Sequence, residues 1–182
     1  MGDDAAAQLE FLRRMEDDAA AQLELLRRND PSETKVSIHL REHADEMLSV
    51  SAALQANNHI SEVILGLHGI GNTNWDFLLC ILATRETLET VTLFDVDDHS
   101  ERNPPEQVTP FLLAMQQNPR IQTVLFRDLQ VPGDSVASFL DAAASVTAIE
   151  FRECGMKAPG GALAVAAALQ RICSAVGTIC AR

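Results

Sequence analysis

Ile60-Ser61-Glu62-Val63-Ile64-Leu65 is matched in pattern by Leu88-Glu89-Thr90-Val91-Thr92-Leu93, by Ile121-Gln122-Thr123-Val124-Leu125-Phe126 and by Val146-Thr147-Ala148-Ile149-Glu150-Phe151. Each string is apolar at its first, fourth and sixth places. Alternation over the last three residues marks a short strand with one face turned inward. A fifth, weaker copy keeps only Val36 and Ile38, with Glu33 where the first leucine would stand. The anchors Val36, Val63, Val91, Val124 and Ile149 are 27, 28, 33 and 25 residues apart.

A second period lies upstream of the last four anchors. Leu54, Leu82, Met115 and Leu140 each precede an anchor by nine residues, and Val50, Leu78, Phe111 and Val136 by thirteen. Apolar residues four apart line one face of a helix. The chain is therefore a series of helix and strand pairs, neither of which buries its apolar side alone. Stacking the pairs makes a continuous core and a parallel sheet.

These strings resemble leucine-rich repeats of the ribonuclease-inhibitor-like type, over about residues 34–172. The resemblance implies an α/β solenoid of about five units within residues 31–182, with the parallel sheet on the concave side, helices on the convex side and an N-terminal helix in front. It also implies a non-catalytic protein–protein interaction module, acting as scaffold, sensor or regulator. Repeats of this type place Asn or Cys five residues after the anchor. Arg41, His68, Val96, Leu129 and Cys154 stand there, so only Cys154 matches and an irregular turn is expected after each strand. The third unit is the longest. Its excess falls in residues 95–106, read as a solvated loop in which Pro104-Pro105 opens the next helix.

Before the repeats stands a doubled leader, MGDDAAAQLEFLRR (1–14) and MEDDAAAQLELLRR (15–28). Acids at the start and Arg-Arg at the end of each copy suit the helix dipole. Asn29-Asp30-Pro31 stops the second copy. Leu9, Leu12, Leu23 and Leu26 share a stripe, which makes residues 1–30 a candidate docking or oligomerising helix. Two repeats fall short of a sustained heptad pattern, so a solvated, partly frayed helix is the preferred reading. At the other end, residues 162–182 carry only Arg171 and Arg182 as charges. A solenoid needs a polar terminal cap, so this end is read as truncated or as a self-association surface.

Composition bounds the partners. With 182 residues, 47% apolar and 22% charged, the chain is an ordinary globular domain. A formal charge of −12 argues against nucleic acid, whose phosphates require clustered positive charge. No apolar run is long enough for a membrane span. Cys80, Cys154, Cys173 and Cys180 form no C-x-x-C pair, which fits a reduced cytoplasmic or nuclear setting with most thiols packed as small apolar groups.

No catalytic or metal signature emerges, and no cofactor is expected. His39 and His43 are four apart, but His39 falls in a strand, which breaks helical ligand geometry. Gly66-Leu67-His68-Gly69-Ile70-Gly71 follows a strand and precedes a helix, with Asp95 at the end of the next strand. That context supports an alternative, a small nucleotide-binding α/β enzyme. Its spacing is G-x-x-G-x-G, not G-x-G-x-x-G, and the even repeat favours a solenoid.

The open face of the sheet is carried by residues alternating with the anchors. Equivalent residues of neighbouring strands form columns about 4.8 Å apart. One column reads Lys35, Glu62, Thr90, Thr123, Ala148; the next Ser37, Ile64, Thr92, Leu125, Glu150; the third His39, Gly66, Phe94, Arg127, Arg152. An aromatic beside two arginines is typical of binding hot spots. The candidate protein-binding patch is thus Phe94, Arg127 and Arg152, flanked by Ile64, Leu125 and Glu150, and suited to an acidic segment. The competing reading pairs the arginines with Asp128, Glu150 or Glu153 and leaves Phe94 as an ordinary exposed residue.

Overall fold

The computed structural model describes residues 21, 23–39, 47–67, 76–95, 107–157 and 161–176. Its strands are β1 (Lys35–His39), β2 (Glu62–Gly66), β3 (Thr90–Phe94), β4 (Thr123–Arg127), β5 (Gln130–Pro132), β6 (Ala148–Arg152) and β7 (Gly155–Lys157). Its helices are α1 (residues 23–28), then α2 (Met47–Ala56), α3 (Asp76–Thr84), α4 (Thr109–Gln116), α5 (Gly133–Ala142) and α6 (Gly161–Val176).

The main sheet is fully parallel and runs in chain order, β1-β2-β3-β4-β6. The anchors pair Val36 to Val63, Val63 to Val91, Val91 to Val124 and Val124 to Ile149. The helices α2 to α6 pack against one another in the same sequence. Anchors and helix residues such as Leu54, Leu82, Phe111 and Leu140 share one buried cluster on a single side of the sheet. A doubly wound sheet would shuffle strand order and put helices on both faces. The strand pattern is set by the anchors, because a one-residue slip would turn Val63 and Leu65 to solvent.

A polar ladder that hydrophobic patterning does not show runs along the helix ends. Asn57, Arg85 and Asn118 follow α2, α3 and α4 and each reach back one unit. Asn57 Nδ2 donates to the Leu26 carbonyl at 3.1 Å, and Asn118 Nδ2 donates to Leu82 and Arg85 carbonyls at 2.9 and 2.8 Å. Arg85 Nε donates to the Ile60 carbonyl at 3.3 Å, and its two terminal nitrogens donate to the Leu54 and Asn57 carbonyls. A helix leaves its last carbonyls without intrahelical donors. Here the next unit supplies them.

Three expectations change. Leu23 and Leu26 are buried in the repeat core, and Asn58 N donates to Asn29 Oδ1 at 2.8 Å. The end of the second leader copy is therefore a docked helix occupying the place of a repeat helix, not a solvated one; Leu9 and Leu12 lie outside the described residues. The helix after the long third unit begins at Thr109, with Pro110 in its first turn, where a missing N–H costs nothing. Pro104 and Pro105 lie outside the described residues, while Asp95, the start of the supposed solvated loop, is buried.

The turns after β4 and β6 repeat one another instead of being irregular. Asp128 and Glu153 both take positive φ, 54° and 55°. The chain then tucks Leu129 fully and Cys154 partly inward before the short pair β5 and β7. Those strands lead into α5 and α6, whose first residues nearly touch. A Cβ on Gly133 would lie 2.3 Å from Gly161 Cα.

Candidate protein-binding face

Register places every residue of the sequence-derived patch on the open side of the sheet. Phe94 pairs with Arg127 and Arg127 with Arg152 along one column. Ile64, Leu125 and Glu150 occupy the column beside it. All of these except Glu150, together with Lys35, Ser37, Glu62 and Thr92, line a groove of about 400 Å³. Its middle is the driest part: Thr92 is 6% exposed although it points away from the core.

Glycine shapes the patch. Gly66 is the last residue of β2 and lies between His39 and Phe94. A Cβ there would stand 3.0 Å from Phe94 Cζ and 3.3 Å from His39 Nδ1. Without it the two rings meet edge to face across the strand, centroids 5.4 Å apart. Packing of Phe94 thus gives Gly66 a role in the sheet. Residues 68–75, which complete the glycine-rich turn considered for nucleotide binding, lie outside the described residues.

The two arginines differ. Arg152 Nε donates to Glu150 Oε1 at 2.5 Å, and that bond pushes the Glu150 carboxyl below and the Arg152 guanidinium above their ordinary values. Both groups are exposed, so the pair contributes little to stability. Arg127 is exposed and makes no ion pair among the described residues. Lys35, at the far end of the groove, pairs with Glu62 at 2.7 Å. The competing reading therefore holds for Arg152, whereas Arg127 makes no ion pair among the described residues and acts on the Glu150 carboxyl through its charge alone.

A second cleft, about 330 Å³, lies between α2 and α3 and is lined by Phe77, Cys80 and Arg85 among others. Its cation is committed to three main-chain carbonyls, and burial holds the Arg85 pKa below the usual arginine range. Cys80 is exposed there, and Cys154 is half-buried. Among the described residues no three His, Cys, Asp or Glu side chains are grouped to hold a metal. No helix among them is long and apolar enough to cross a membrane.

Comparison with solved structures fixes the fold type. A tropomodulin C-terminal domain from Caenorhabditis elegans superposes with a TM-score of 0.60 at 16% identity, over 88% of this chain and 96% of that one. The leiomodin-1 fragment named actin-binding site 2 superposes with a TM-score of 0.56 at 15% identity, over 85% of this chain and 89% of its own. The fold is leucine-rich-repeat-like. The sequence matches no protein-family model and no curated protein sequence. At such identities the likeness is one of fold.

Proposed function

We propose that the chain is a non-catalytic protein-binding module that grips an acidic, partly apolar segment on its open sheet face. The observation that carries this reading is the adjacency of Phe94 to Arg127, an exposed cation with no ion pair among the described residues, on a chain of net charge −12. Ile64 and Leu125 add apolar area beside the charge, so a bound acidic strand would gain both contact and charge pairing. The leiomodin-1 fragment is by its name an actin-binding site, which supports use of this fold for binding protein. Actin, in monomer and filament form, is therefore the first whole protein to test. Helices in every later unit support the ribonuclease-inhibitor-like assignment.

The test is fluorescence anisotropy with two labelled peptides of equal apolar content, one acidic and one with its charges inverted. The acidic peptide should bind the wild-type chain and the inverted one should not. Phe94→Ala and Arg127→Ala should each weaken binding at least about tenfold, as removal of a hot-spot side chain does. Equal affinity for both peptides, or indifference to both substitutions, would refute the reading.

A further inference from the structure

Among the described residues β6 is the last strand of the sheet, and no strand pairs with its outer edge there. Ala148 N donates to the Gln122 carbonyl at 3.0 Å, and the Arg152 carbonyl accepts from Asp128 N at 3.0 Å. The main chains of residues 148, 150 and 152 therefore face β4. By alternation, those of Ile149 and Phe151 point out of the sheet. Their side chains show the same incompleteness. Val124 and Phe126, one strand inward, are fully buried, whereas Ile149 and Phe151 are only partly buried. Phe151 is stacked on Phe126 with centroids 5.1 Å apart. An edge of free N–H and C=O groups is a template for another strand.

We propose that this edge pairs with the same edge of a second copy, antiparallel about a two-fold axis at Phe151. The choice of occupant rests on charge and register. Only outward-facing residues can exchange hydrogen bonds, so odd residues must oppose odd ones. Among the registers that centre on β6, opposing Ile149 to Phe151 places Glu150 against Glu150. A shift the other way places Arg152 against Arg152. With Phe151 opposite Phe151, each Glu150 faces Arg152 of the other copy in a non-hydrogen-bonded pair, where Cα atoms stand about 4.5 Å apart. The segment Glu150-Phe151-Arg152 is thus self-complementary, and each glutamate is bracketed by its own arginine and by that of the second copy. A two-fold axis perpendicular to the sheet keeps both open faces on one side, joining two five-stranded sheets into one. Gly161 to Gln170 of the neighbouring helix α6 carry no charge, and Arg171 is the one charged residue in that helix.

The experiment is sedimentation equilibrium of the full 182-residue chain over a dilution series, with four sequences. Wild type should show a concentration-dependent dimer. Glu150→Arg sets arginine against arginine and Arg152→Glu sets glutamate against glutamate. Each should raise the dissociation constant about tenfold, since two like-charge pairs form per dimer. The double exchange Glu150→Arg with Arg152→Glu should restore it. All these side chains are exposed, so circular dichroism should report intact folding throughout. A monomer at every concentration, an association indifferent to the single reversals, or a double exchange that fails to recover would each overturn the proposal. The acidic-peptide test uses Phe94 and Arg127 instead, so the two readings fail separately.

Discussion

Single residues decide how the open face is built. Gly66 is there for a contact between two neighbours, His39 and Phe94, rather than for its own backbone freedom. In the sequence it is indistinguishable from a turn glycine, because the rings it separates are 55 residues apart. The cysteines teach the same lesson. Their spacing excludes a metal knot but says nothing of exposure. Cys154 is partly buried, and desolvation pushes its thiol above the usual range against the opposing pull of backbone hydrogen bonds at Leu129 and Arg152. A raised pKa leaves less thiolate at neutral pH, and the thiolate is the reactive form. Peptide mapping after brief alkylation of the native chain should find Cys80 modified well before Cys154; the reverse order would contradict the placement of both.

At the scale of elements, helix ends join the units more specifically than apolar packing does. Leu26, Leu54 and Leu82 stand 28 residues apart, and the carbonyl of each accepts from Asn57, Arg85 or Asn118 in the following unit. The fourth equivalent place holds Ala143, whose side chain has no donor. This ladder was not legible, since the same task falls to Asn in two units and to Arg in a third. A search for recurring apolar positions passes over it. Arg85→Ala would remove a donor from three carbonyls, of which Ile60 keeps Thr87 Oγ1 and Leu54 keeps the Asn57 N–H, so chemical denaturation should show a loss of about 1–3 kcal/mol. Arg85→Asn should lose less, because the side chains of Asn57 and Asn118 already serve at matching places. A stability unchanged by Arg85→Ala would mean that water replaces those bonds freely.

For the whole molecule, the repeat was legible because it is written in the residues that fix a parallel sheet. Period two at the anchors sets which face each strand buries, and a recurrence near 28 residues sets which strands adjoin. The three columns of the open face followed directly, and with them the adjacency of Phe94, Arg127 and Arg152. Less legible was the docking of α1. Leu26 precedes its anchor Val36 by ten residues where later units use nine, and Glu33 breaks the strand pattern between them. Only the shared core shows that Leu23 and Leu26 join the array. The charge state of the patch was also beyond the sequence, because both arginines have acids nearby and only geometry commits Arg152 to Glu150. The central claim is that the uncovered face of this array is where a partner binds. Its most direct test is a nitrogen-15 correlation spectrum recorded while the acidic peptide is added. Amide shifts should concentrate at Ile64, Phe94, Leu125 and Arg127, leaving α3 and α4 unmoved. Shifts concentrated on the helices, with the sheet residues silent, would contradict it.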